Sequence, residues 1–117
     1  MPTSEQWLSK CQNWKEKWNE YHLLPEDDKD GINFYTLVES INKNLSLNDV
    51  ILTDAGTAFY ITGQAAKIKS GCRLVVPGAQ ADMGFALPAS VGVQLADENL
   101  NPIVITGDGS FQTNIQE

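Results

Sequence analysis

Three short stretches of this 117-residue chain set small residues beside groups able to hold an ion. They are Thr53-Asp54-Ala55-Gly56-Thr57, Pro77-Gly78-Ala79-Gln80-Ala81-Asp82-Met83-Gly84 and Gly107-Asp108-Gly109-Ser110. Glycine and alanine let backbone approach a ligand closely. Each stretch runs into a helical pattern, whose free N–H groups and dipole favour a phosphate. Asp108 is the acidic group of the third stretch, and a carboxylate facing a diphosphate repels it unless a hard cation such as Mg²⁺ bridges the two. A plainer reading competes. Asp-Gly is a hairpin signal, and Phe111, Thr113 and Ile115 alternate with Gln112, Asn114 and Gln116 as a returning strand would. Phe111 and Ile115 also lie four apart, as on a helix, so spacing alone leaves hairpin and binding loop evenly matched.

These stretches need strands to carry them and helices to follow them. Asp49-Val50-Ile51-Leu52-Thr53 reads as a short buried strand before the first, Arg73-Leu74-Val75-Val76 as the strand before the second, and Pro102 to Thr106 as the strand before the third. Helical spacing appears in Phe34, Leu37, Val38, Ile41 and Leu45, and in TAFYITGQAAKIK. It returns from about Phe85, where Pro88 fits a first turn and Val91, Leu95 and Ala96 recur. Helices alternating with strands predict an α/β layer with a mainly parallel sheet. In such a sheet ligands bind beyond the carboxyl ends of the strands, where all three stretches fall.

Ahead of this unit, SEQWLSKCQNWKEKWNEY places Trp7, Cys11, Trp14, Trp18 and Tyr21 on one helical face, with Ser4 as N-cap. Such a stripe is expected to bury against a core or another domain. The acidic connector LLPEDDKDGIN lacks the alternating ligand positions of a calcium loop. The sole histidine, His22, reads as a packing or surface residue. The chain thus divides into a helical lead-in and connector, 1–31, and an α/β unit, 32–117.

Composition excludes several classes. Hydrophobic content of 42% with 20% charged residues is that of a folded, soluble domain. No apolar run reaches the length of a membrane span, and MPTSEQWLSK lacks the features of a signal peptide. Cys11 and Cys72 make neither a disulfide framework nor a zinc site, so a reduced, cytoplasmic setting is expected. A net charge of -7 argues against nucleic acid and anionic membrane as partners. Neither GxGxxG nor a P-loop is present, which argues against a nucleotide-binding domain.

Taken together and in order, DVILTDAGTAFY, ADMGFALPASVGVQLA and PIVITGDGSFQTNIQE resemble the diphosphate-binding domain of thiamine diphosphate-dependent enzymes, in the acetolactate synthase-like branch. The resemblance covers residues 49–117, and the first 48 look more loosely like a helical lead-in of that branch. It implies a three-layer α/β/α thiamine diphosphate-binding fold, incomplete at its C-terminus, and tips Gly107-Asp108-Gly109 toward a binding loop opening a helix. It also implies roles. Asp108 would be a Mg²⁺ ligand, Gly109 and Ser110 would offer backbone and hydroxyl groups to the diphosphate, and Gly56, Thr57 and Ala58 would touch it from the first turn. Met83 would be the apolar wedge that bends the cofactor, and the Ala81 carbonyl would accept a hydrogen bond from its 4'-amino group. The alternative for Met83 is an ordinary core methionine.

The implied activity is decarboxylation and carboligation of 2-keto acids. The resemblance leaves open whether FAD is also bound. It implies a homodimer or homotetramer in which the cofactor-protonating glutamate comes from the pyrimidine-binding domain of a partner subunit, so no catalytic residue is assigned here. The asparagine pair that completes metal coordination in the family is not matched, and Asn114 lies too close to Asp108 to serve. The chain is therefore expected to be a fragment, inactive alone and a weak cofactor binder. The competing expectation is a non-catalytic α/β module kept for assembly or partner binding, with the tryptophan face as its surface.

Overall fold

The computed structural model describes residues 4–18 and 31–117. Tyr21, His22 and the connector up to residue 30 lie outside the described residues. Among the described residues, five helices and three strands follow one another: α1 (Glu5–Lys17), α2 (Phe34–Asn44), β1 (Asp49–Thr53), α3 (Gly56–Ala65), β2 (Arg73–Val75), α4 (Ala86–Ala96), β3 (Asn101–Ile105) and α5 (Asp108–Thr113).

The strands form one parallel sheet in the order β2-β1-β3, with Ile51 opposite both Leu74 and Ile103. β1 is central and buried along its whole length, which is why it reads as an unbroken apolar run rather than an alternating one. Its side chains still divide between two faces. Ile51 joins Leu74, Ile103 and Ile105 in a core closed by Leu45 and Ile41 of the α2 segment and Ala58 of α3. Val50 and Leu52 join Val75 and Val104 in a second core under Ala86, Ala89 and Val93 of α4. The chain moves one way across the sheet from β1 to β2 and back the other way from β2 to β3. Right-handed crossovers then put α3 and α4 on opposite faces, and the sheet becomes the middle of three layers.

Local signals explain two helix starts. Ser4 accepts the Trp7 N–H at 3.1 Å and Asn33 accepts the Tyr35 N–H at 2.9 Å, capping α1 and α2. Apolar spacing suggested that the third helix would reach Lys69, but it stops at Ala65. The reason lies in α2. Asn42, buried, donates Nδ2 to the Ala65 carbonyl and accepts the Lys67 N–H through Oδ1, both at 2.8 Å. One side chain thus takes the groups that the next helical turn would have used. Between α4 and β3, Asp97 Oδ1 accepts the Asn99 N–H at 3.0 Å and its side-chain amide at 2.9 Å, which holds this exposed carboxyl below the usual carboxylate range.

Two helices carry apolar side chains that no described residue covers. Val91, Leu95 and Ala96 do not form the buried side of α4. They are exposed, and the helix meets the sheet through Ala86, Ala89 and Val93, whose small side chains allow close approach. The tryptophan stripe of α1 is not buried by any described residue: Trp7, Trp14 and Trp18 are 54%, 40% and 65% exposed. Trp7 and Trp14 meet edge-to-face with ring centres 5.8 Å apart, while Lys10 and Lys17 lie over Trp14 and Trp18.

Candidate functional site

β1 and β3 are neighbours and run in the same direction, so their carboxyl ends open side by side. A cavity of about 390 Å³ lies there, lined by Phe34, Ala55, Gly56, Thr57, Ala58, Met83, Thr106, Gly107, Asp108, Gly109 and Ser110. Seven residues singled out from the sequence thus surround one space: Gly56, Thr57, Ala58, Met83, Asp108, Gly109 and Ser110. Ala81 does not line it. That residue sits two positions before Met83 with φ 51, a left-handed conformation that is unusual for a residue with a side chain.

Gly107-Asp108-Gly109 is no hairpin turn, because β3 gives way directly to α5, which begins at Asp108. Gly107 is the N-cap of α5 and Ala55 the N-cap of α3, and neither helix start carries a side-chain cap. The first N–H groups of both helices are therefore left for water or a ligand. Side chains added at Gly56 or Gly107 would meet nothing within 4 Å, so the space beside both glycines is open. Such a rim suits an anion.

The two turns are bonded to each other. Asp54, fully buried, accepts the Ala55 N–H through Oδ1 and the Thr106 hydroxyl through Oδ2, both at 2.8 Å. Asp54 thus works inside the wall and leaves Asp108 as the carboxylate lining the cavity. Among the described residues, no group of three or more His, Cys, Asp or Glu side chains gathers as a metal cage. A site with one carboxylate suits a Mg²⁺ that takes its remaining ligands from phosphate oxygens and water.

The loop between β2 and α4 reaches the cavity through Met83, which is 54% exposed and so not a core methionine. Its neighbour Gly84 is buried, with φ 81. The Gly84 N–H donates to Ser110 Oγ, and the Gly84 carbonyl accepts from Asn114 Nδ2, both at 2.9 Å. Ser110 therefore spends one acceptor site on the loop while its O–H remains able to donate. Met83 Cε lies 3.7 Å from where a side chain on Gly109 would begin, so the thioether covers the glycine at the start of α5.

Sequence reasoning gave no site role to Phe34, Asp54 or Thr106, and weighed Asn114 only as a metal ligand. Phe34 reaches the cavity from α2 and carried only a packing signal. Asp54 and Thr106 are 52 residues apart in sequence, and no local pattern links them.

Comparison with known proteins bears on this geometry. Residues 54–117, more than half the chain, match the profile of the thiamine pyrophosphate enzyme C-terminal TPP binding domain. The chain is 34% identical over 113 residues to the acetolactate synthase large subunit of Buchnera aphidicola subsp. Schlechtendalia chinensis, a match covering 97% of this chain and 19% of that protein. It is 40% identical over 68 residues to the acetolactate synthase large subunit of Lactococcus lactis subsp. lactis (strain IL1403), covering 58% and 12%. The acetolactate synthase isozyme 1 large subunit of Escherichia coli (strain K12) is 33% identical over 88 residues, covering 75% and 16%. The chain spans about a fifth or less of the length of these curated relatives. With glycine-bearing turns, Met83 and Asp108 around one cavity, and a profile match running from Asp54 to Glu117, the chain belongs to the thiamine pyrophosphate enzyme family, through its C-terminal TPP binding domain.

Proposed function

We propose that this chain forms the diphosphate and metal side of a thiamine diphosphate- and Mg²⁺-dependent enzyme that decarboxylates 2-keto acids and joins the product to a second carbonyl compound. The observation that carries the reading is the single cavity lined by Gly56, Thr57, Ala58, Met83, Asp108, Gly109 and Ser110. The names of the relatives support the choice of reaction, since each is an acetolactate synthase large subunit.

The residues present fit the cofactor. Uncapped N–H groups at the starts of α3 and α5, with the Ser110 hydroxyl, would hold the diphosphate. Asp108 would hold the Mg²⁺, which would offset repulsion between that carboxylate and the phosphates. Met83 would give apolar support to the ring portion. Asp54 and Thr106 keep the two turns at a fixed separation, and orientation of this kind is the protein's share of such catalysis. When bound, thiamine diphosphate supplies the carbon nucleophile for decarboxylation and carbon–carbon bond formation. On this reading the pyrimidine-binding domain of a partner subunit completes the site, and the active protein is a homodimer or homotetramer in the cytoplasm.

The test is turnover of 2-keto acids by the chain joined to the rest of its enzyme and a partner domain, with and without thiamine diphosphate and Mg²⁺. Activity should require both, and Asp108→Ala should lower it by more than about 10-fold, as loss of a metal-site group does. Turnover that persists without the cofactor, or is indifferent to Asp108→Ala, would sink the reading.

A further inference from the structure

We propose that Asn114 is a positioning residue that sets Met83 in the cavity by holding the Gly84 peptide. The inference rests on the thiamine diphosphate reading for its purpose, but its geometry stands apart from it. Ser110 and Asn114 are four residues apart, so they project from one side of α5 and its C-cap. That side faces the loop between β2 and α4, where the two side chains take both polar groups of one residue. Ser110 Oγ accepts the Gly84 N–H and Asn114 Nδ2 donates to the Gly84 carbonyl, each at 2.9 Å.

Gly84 is suited to such a grip. Its φ of 81 turns the chain directly after Met83, and it lies so close to α5 that an added Cβ would sit 3.0 Å from Asn114 Nδ2 and 3.1 Å from Thr113 Cβ. With both polar groups of this residue held, the backbone fixes where the Met83 side chain starts, and Met83 Cε lies beside Gly109. Methionine has three rotatable bonds, so a fixed backbone narrows its reach by setting the Cα–Cβ bond from which it starts. Asn114 sits at the C-cap of α5, yet its amide is spent across the cavity wall, 30 residues away in sequence, and not on the helix end. Gln116 Nε2 donates to Asn114 Oδ1 at 3.3 Å, which orients the amide with its NH₂ toward Gly84.

The test uses the chain as it stands, with Asn114→Asp and Asn114→Ala beside the wild type. Asn114→Asp keeps the size of the side chain but sets an oxygen against the Gly84 carbonyl, and Asn114→Ala removes the contact. The primary readout needs no ligand: the nuclear Overhauser effect between the Met83 methyl and the Gly109 α protons, with the amide signals of Val50, Ile51 and Leu52 reporting the intact core. Both variants should lose most of this effect while the core signals stay in place. In a thiamine diphosphate titration with Mg²⁺, both should bind about 10-fold more weakly, the equivalent of one lost charge-free hydrogen bond. An unchanged Met83–Gly109 effect in either variant overturns the proposal. Loss of the core signals together with the effect also overturns it, because Asn114 would then support the fold and not Met83 in particular. A wild type that shows the Met83–Gly109 effect but binds no thiamine diphosphate overturns the functional reading instead, and leaves the positioning decided by the ligand-free spectra.

Discussion

Thr106→Val removes one hydroxyl and keeps the β-branched shape of the side chain. In the wild type that hydroxyl donates to Asp54 Oδ2 at 2.8 Å, and Asp54 is fully buried at the end of the central strand. Its other oxygen is held by the Ala55 N–H. The valine variant leaves Oδ2 without a partner and out of reach of water, a loss of about 1–3 kcal/mol. For a chain of this size each kcal/mol lowers the melting temperature by about 3–5 °C, so Thr106→Val should melt about 3–15 °C below the wild type. Circular dichroism melts measure the shift. A double-mutant cycle with Asp54→Ala should return a coupling of about 1 kcal/mol or more, because the two single changes break the same bond. The bond also joins the turn holding Gly56 to the turn holding Gly107. Melting within about 1 °C of the wild type, or a cycle without coupling, would refute the claim that this buried pair ties the two lips of the cavity together.

Two further substitutions check the packing argument. Gly84→Ala forces a side chain into a left-handed position and against Asn114 and Thr113, and should destabilise the chain by about 1–3 kcal/mol in denaturant titrations. Thr62→Val should leave stability unchanged or raise it by about 1 kcal/mol, because the Thr62 hydroxyl is buried in α3 without a hydrogen-bond partner.

Much of the sheet was legible because its signals are local. Asp49–Thr53 forms a strand with the boundaries read from its apolar run, and β3 differs from its expected span by one residue at each end. Ser4 marks a helix start by the short reach of its own side chain. What escaped was the work done between distant segments. Asn42 ends α3 from α2, Asn114 and Ser110 grip Gly84, and Thr106 satisfies Asp54, all through pairs at least 23 residues apart. The buried side of α4 went unread for a related reason. Alanine carries little weight in an apolar pattern, yet at a close helix–sheet contact it is the residue that fits. The site itself was legible chiefly through resemblance. Spacing left Gly107-Asp108-Gly109 between turn and loop, and the chain's approach to α5 resolves it as a helix start.

The central claim, that the cavity at the ends of β1 and β3 holds a diphosphate through Mg²⁺, is tested most directly by titrating thiamine diphosphate into the ¹⁵N-labelled chain at millimolar concentrations, with and without Mg²⁺. The account predicts that the amides of Gly56, Thr57, Gly109 and Ser110 shift together, that the shifts require Mg²⁺, and that Asp108→Ala abolishes them. Shifts confined to other parts of the surface, or shifts at these four amides that survive both chelation and Asp108→Ala, would contradict it.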